Sequence, residues 1–122
     1  MKMIKKIFVG AVALIVLVGC GGSSTTSDVV IKEDSVIIDV RTPAEFADGH
    51  VEGAINMDLE GGVFEAEFAN LDPSQSYIVY CRTGRRSGVA LSILKDNGFT
   101  DVINLETLDN AANKTRLPVV AN

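Results

Sequence analysis

Cys81 follows directly on an apolar run, Tyr77-Ile78-Val79-Tyr80, and opens a loop reading Arg82-Thr83-Gly84-Arg85-Arg86-Ser87-Gly88. Val89, Ala90, Ile93 and Leu94 then recur at helical spacing. The order is strand, cysteine-headed loop, helix. Backbone N–H groups at a helix start favour negative charge in the loop before it. Together with Arg82, Arg85 and Arg86 they would favour the Cys81 thiolate and so lower its pKa. The same field attracts an anionic substrate. The loop thus offers a nucleophile and an anion pocket together. The plainer alternative is a small core hydrophobe at a strand end beside a solvated arginine face.

Cysteine usage bears on that choice. The chain has two cysteines, Cys20 and Cys81. Residues 1–19 have the character of an export signal. Lys2, Lys5 and Lys6 form a positive start, and Ile7 to Val18 is apolar apart from Gly10. The stretch ends in Leu17-Val18-Gly19-Cys20, which resembles the bacterial lipobox, where cleavage precedes a cysteine that receives lipid. An ordinary secretory signal and an uncleaved anchor are the alternatives. Gly21 to Ser27 lacks apolar residues and suits a flexible tether, so residues 20–28 are expected to be lipidated cysteine and tether. Residues 29–122 are expected to be the domain. Lipid on Cys20 anchors the domain by acyl chains in the cell envelope, outside the cytoplasm. Gly after Cys20 leans towards the periplasmic face of an outer membrane where the host has two membranes. Cys81 is then left as a single thiol in a compartment where thiols tend to be oxidised, which fits a reactive role.

Charge excludes some partners. The chain holds 11 basic and 16 acidic residues, and loss of the three signal lysines leaves a formal net charge of −8. An acidic domain does not favour nucleic acid or anionic lipid. One His and one free Cys make no ligand set for a metal. No cofactor is suggested, and the oligomeric state stays open. The 103 residues from Cys20 to Asn122 suffice for one domain with one core.

The elements that position Cys81 can be read in order. Val29-Val30-Ile31 could form an edge strand. Val36 to Val40 is short, continuous and mostly β-branched, as in a strand buried on both faces of a parallel sheet. Thr42-Pro43-Ala44-Glu45 supplies a cap, a first-turn proline and a capping-box glutamate, with Gly49 ending that helix. Ala54 to Met57 is a short strand, and Phe64, Phe68 and Leu71 mark an amphipathic helix over 63–69. Tyr77 to Tyr80 is a strand and Arg86 to Asn97 a helix closed by Gly98. Val102 to Leu105 is a further strand. Glu106 to Lys114 is ambiguous between helix and other structure, and Leu117 to Val120 is an extended tail. The alternation implies an α/β domain with a mainly parallel sheet, whose ligand sits beyond the carboxyl ends of the strands. Asp39 and Cys81 both lie at that rim.

Asp39-Val40-Arg41-Thr42-Pro43-Ala44-Glu45-Phe46-Ala47-Asp48-Gly49-His50-Val51-Glu52-Gly53-Ala54-Ile55-Asn56 resembles the opening motif of rhodanese-like domains, and Tyr80 to Ser87 resembles their active-site loop. The resemblance runs from about Val36 to Leu105. It implies a small doubly wound α/β domain and a sulfurtransferase activity. Cys81 would take the outer sulfur of a small anionic donor such as thiosulfate as a persulfide. A thiol or cyanide-like acceptor would then remove it. Cys81, Arg82, Thr83, Gly84, Arg85 and Arg86 would form the cradle, with the arginines holding the donor. Asp39 and Arg41 read as supporting residues, paired with Glu45 or a neighbour. His50 reads as a structural hydrogen bonder.

Two departures stand out. Glu52 occupies a position where the family often has Pro. The segment after Asn104-Leu105 lacks the family's glycine-rich turn and tryptophan, which leaves substrate preference open. Two other functions compete. Cys-dependent phosphatases and arsenate reductases resemble Cys, five residues, then Arg, but that position here is Ser87. A non-catalytic module could use the cradle to hold an anion, or carry sulfur without turnover.

Overall fold

A continuous β-branched run at Val36–Asp39 forms the first strand, β1, and a buried partner at Tyr77–Cys81 lies directly beside it. The computed structural model describes residues 31–122. The expected signal, the Cys20 lipidation site, the tether and Val29-Val30 lie outside the described residues. Ile31 itself is not in a strand. In chain order the elements are β1, α1 (Pro43–Asp48), β2 (His50–Val51), β3 (Ile55–Asn56), α2 (Val63–Glu67), β4 (Tyr77–Cys81), α3 (Arg85–Asp96), β5 (Val102–Thr107), α4 (Leu108–Thr115) and β6 (Val119–Val120). A 3₁₀ turn, Phe68–Asn70, finishes the segment expected to be one helix.

The main sheet has the order β3-β1-β4-β5 and every pair in it is parallel. Alternate side chains of β1 and β4 enter different cores. Ile38, Val40, Val79 and Cys81 pack with Phe64, Ala90 and Leu94 on the α2–α3 face. Ile37, Ile78, Tyr80 and Leu105 pack with Val51 and Ala111 on the α4 face. Both faces are therefore dry, which explains why β1 and β4 show no polar alternation. The sheet, with helices on both sides, is the α/β architecture expected from the sequence.

Local chemistry fixes the helix ends. Thr42 Oγ1 accepts the Glu45 N–H at 3.3 Å while Glu45 Oε1 accepts the Thr42 N–H at 3.0 Å, completing the capping box. Helix α3 begins one residue earlier than the spacing predicts, at Arg85, and Gly98 follows its end in the left-handed region. The ambiguous segment resolves into two parts. β5 runs through Thr107, whose Oγ1 accepts the Asn110 N–H at 3.1 Å, and α4 follows at once. The extended tail pairs as β6 with β2, antiparallel, a pairing that neither two-residue segment signals alone.

Candidate active site

Cys81 is the last residue of β4, and its register partner on β5 is Thr107. Its side chain is fully buried. The chain must then turn at once into α3, and Gly84 makes that turn at φ +103° as the residue before the helix. Any Cβ there would lie 3.3 Å from the Glu106 Cβ, so both conformation and space require glycine. The turn aims the Gly84 N–H at Cys81 Sγ, 2.9 Å away. Ser87, also fully buried, places its Oγ 3.4 Å from the sulfur.

These contacts set the ionisation of the thiol. Burial raises its pKa. The Ser87 hydroxyl and the N–H groups of Ser87, Gly84 and Thr83 act against it and win, so the pKa lies below the ordinary thiol value. The leading contributions are therefore hydroxyl and amide groups; the arginines are not among them. Ser87 Oγ also lies 3.2 Å from the Gly84 carbonyl. Its single proton serves one acceptor at a time. A protonated thiol can donate to Ser87 while the hydroxyl donates to Gly84. A thiolate needs the hydroxyl turned towards sulfur.

The arginines divide by role. Arg82 and Arg85 are exposed at the loop, as is Thr83. Arg86 is mostly covered, and its guanidinium is held by Glu45, with Nη1–Oε1 2.9 Å and Nη2–Oε2 3.2 Å, and has Glu60 at 3.6 Å. The sequence reading gave Arg86 to the anionic donor. In this arrangement its charge is matched by carboxylates, and it pins the first turn of α3 to α1. Arg82 and Arg85 remain as the exposed cations. The Arg86 hydrogen bonds, opposed by burial and aided by the Thr42 N–H, pull the Glu45 carboxyl down to about 2.

Asp39 and Arg41 pair with each other, not with Glu45. Arg41 Nε and Nη2 reach Asp39 Oδ1 and Oδ2 at 3.0 and 2.7 Å, and the Arg41 N–H donates to Oδ1 at 2.9 Å. Arg41 Nη2 also donates to the Gly49 carbonyl, and the guanidinium lies 5.7 Å from the Tyr80 ring centre. The pair is buried and fastens the rim of β1 to the end of α1. Tyr80 Oη accepts the Val51 N–H at 3.0 Å, tying β4 to β2. His50 stacks on Phe46, centroids 3.7 Å apart, with Nδ1 2.7 Å from the Phe46 carbonyl, so its role is structural as expected.

Glu106 stands at φ +71°, in the left-handed region that favours glycine. The register between β4 and β5 slips here, and the Glu106 N–H is caught by Asn104 Oδ1 at 2.9 Å. Beside the loop a pocket of about 400 Å³ is lined by Arg41, Glu45, Asp48, Arg82, Thr107, Leu108 and Asp109. Among the described residues no cluster of three His, Cys, Asp or Glu could hold a metal.

Residues 26–107 match the family model described as a rhodanese-like domain. The chain belongs to the rhodanese-like family. It is 40% identical over 75 residues to the thiosulfate sulfurtransferase PspE of Escherichia coli (strain K12), covering 62% of this chain and 72% of that one. It is 32% identical over 89 residues to a sulfurtransferase of Allochromatium vinosum, covering 73% and 81%. A solved structure described as rhodanese with anions from E. coli matches with a TM-score of 0.58 at 35% identity, covering 72% of this chain and 99% of that one. In this rhodanese-like domain the segment from Cys81 to Ser87 closes around the sulfur through the Gly84 N–H and the Ser87 hydroxyl. Two supporting residues escaped the sequence reading. Ser87 was noticed only as the absence of a phosphatase arginine, although it lies one helical turn from Gly84. Glu45 reads in the sequence as a local cap and as a partner for Asp39 or Arg41, and nothing in its spacing signals the partner it has 41 residues away, Arg86.

Proposed function

We propose that the protein is a sulfurtransferase of the thiosulfate type that works through a persulfide on Cys81. The observation that carries this is the pair of donors on Cys81 Sγ, the Gly84 N–H at 2.9 Å and Ser87 Oγ at 3.4 Å. They hold a thiolate in a buried place, where it has no water shell to shed before attack. In the first step the thiolate attacks the outer sulfur of thiosulfate. The S–S bond of the donor breaks, and sulfite leaves with the bonding pair. In the second step an acceptor such as cyanide or a thiolate attacks the outer sulfur of the persulfide. The bond to Cys81 breaks, and the thiolate returns with its electron pair. Arg82 and Arg85 supply positive charge for the incoming dianion, and Arg86 holds the loop against Glu45.

Ser87 at the sixth position after Cys81 supports sulfur chemistry over phosphoryl transfer. A phosphoryl group would need a forked cation there to hold its equatorial oxygens. The protein is also proposed to be a lipoprotein of the cell envelope, anchored through Cys20, on the pattern of Lys2, Lys5, Lys6, the apolar stretch and Leu17-Val18-Gly19-Cys20.

The test is sulfur transfer from thiosulfate to cyanide by the full chain, beside Cys81→Ser. Thiocyanate production that is lost in the variant is expected. Equal rates in both proteins, or no sulfane sulfur on Cys81 by mass spectrometry, would overturn the reading.

A further inference from the structure

The Ser87 hydroxyl has one proton and two acceptors within reach, Cys81 Sγ at 3.4 Å and the Gly84 carbonyl at 3.2 Å. Ser87 and Cys81 are both fully buried, so bulk water does not compete for that proton. The other close donor on the sulfur, the Gly84 N–H at 2.9 Å, is held by the backbone and cannot turn away. The Gly84 carbonyl also accepts the Gly88 N–H at 3.0 Å, at the start of α3. The hydroxyl can therefore leave that carbonyl without orphaning it. A rotation about the Ser87 Cβ–Oγ bond moves the hydrogen bond from carbonyl to sulfur and displaces no heavy atom.

We propose that Ser87 is a catalytic residue of the sulfur-release step, its hydroxyl turning to Sγ as the persulfide breaks. The inference rests on the sulfurtransferase reading and deepens it. The direction follows from where the charge sits. In the thiolate it lies on Sγ. In the persulfide Sγ is bonded to the outer sulfur, and the charge lies on that outer atom. A two-bonded sulfur is a weak acceptor, so the hydroxyl then donates to the Gly84 carbonyl. When cyanide attacks the outer sulfur, the carbon–sulfur bond forms, the S–S bond breaks, and its electron pair returns to Sγ. The hydroxyl bond to Sγ strengthens as this charge grows, and no proton is transferred. A contact stronger in the transition state than in the persulfide speeds the step, and a better stabilised thiolate leaves faster. In the loading step the same contact works the other way. It makes more thiolate but leaves each thiolate less nucleophilic.

The test compares the full chain with Ser87→Ala in single turnovers. Sulfur is loaded from thiosulfate, the excess is removed, and the Cys81 persulfide is verified by mass spectrometry. Its decay is then followed by stopped flow at a fixed concentration of cyanide anion. Decay should be about three- to tenfold slower in the variant, as for a partly formed hydrogen bond to a charged atom. Loading is followed separately and divided by the thiolate fraction, read from ultraviolet absorbance. That rate should equal or exceed the wild-type rate. Each rate refers to the persulfide or thiolate present, so a smaller active fraction in the variant does not alter it. Decay as fast as in the wild type overturns the proposal. A loss of similar size in both rates also overturns it, since a merely distorted loop would slow both steps. A wild-type chain that takes up no sulfur from thiosulfate overturns the sulfurtransferase reading and this proposal with it.

Discussion

Replacing Glu45 by Gln should cost the folded state about 1–2 kcal/mol near pH 7, and the deficit should close in acid. Glutamine keeps an oxygen that can accept the Thr42 N–H, so the helix cap survives and the change falls on the pair with Arg86. The Glu45 carboxyl titrates at about 2 in the fold against an ordinary 4.5, with the Arg86 hydrogen bonds the largest cause. At about 1.36 kcal/mol for each tenfold change in proton affinity, that drop corresponds to about 3 kcal/mol as an upper bound. The Glu45 side chain is 24% exposed, and solvent screening reduces the figure to about 1–2 kcal/mol. The sign follows from proton uptake. Between pH 4.5 and about 2 the unfolded carboxyl binds a proton that the folded one refuses, so wild-type stability falls as pH falls through that window. The pair contributes fully above it. Urea unfolding of both proteins near pH 7, near pH 5 and near pH 3 is the assay. The gap should be full near pH 7, almost unchanged near pH 5, and reduced by about half or more near pH 3. No gap near pH 7, or a gap that persists undiminished near pH 3, would refute the reasoning.

Three further outcomes are expected. Ser87→Ala removes the strongest hydrogen bond that lowers the Cys81 pKa, so the rise of persulfide formation with pH should move to higher pH, with about tenfold slower formation near neutrality, read by stopped-flow with thiosulfate. Glu106→Gly relieves a left-handed residue at φ +71° at about 1–2 kcal/mol while adding unfolded-chain entropy of about 0.5–1 kcal/mol, so the melting temperature should rise by about 2–8 °C in a thermal scan. Cys20→Ser should release the protein from the membrane fraction on cell fractionation if lipid on that residue is the anchor; retention would count against the lipoprotein proposal.

What could be read from the sequence was whatever short-range chemistry decides. The capping box at Thr42 and Glu45 is complete within four residues. The runs around Ile38 and Val79 signal two-faced burial because both faces of the sheet are covered. The position of Cys81 at a strand end, with a loop and helix after it, is likewise local. Pairings set by tertiary closure were not legible. Glu45 and Arg86 meet only because α1 and α3 converge at the same rim. β2 and β6 have two residues each, too few for any period to show. The thiol illustrates both limits. Its lowered pKa is expected from helix-start N–H groups and arginine charge; the N–H groups do contribute, the Ser87 hydroxyl has no such signal, and the loop conformation that aims them depends on Gly84. The ambiguity after Leu105 arose because Glu106 has no intrinsic preference for the conformation it holds. Asn104, Gly84 and the slipped register hold it there.

The complete enclosure of Cys81 also governs whom the sulfur can meet. A disulfide requires the two Cα atoms to come within about 7 Å of each other. With its sulfur at the bottom of a cradle beneath α3, Cys81 of one molecule cannot bring its backbone that close to Cys81 of another without unfolding the loop. The fold therefore disfavours covalent dimerisation through Cys81.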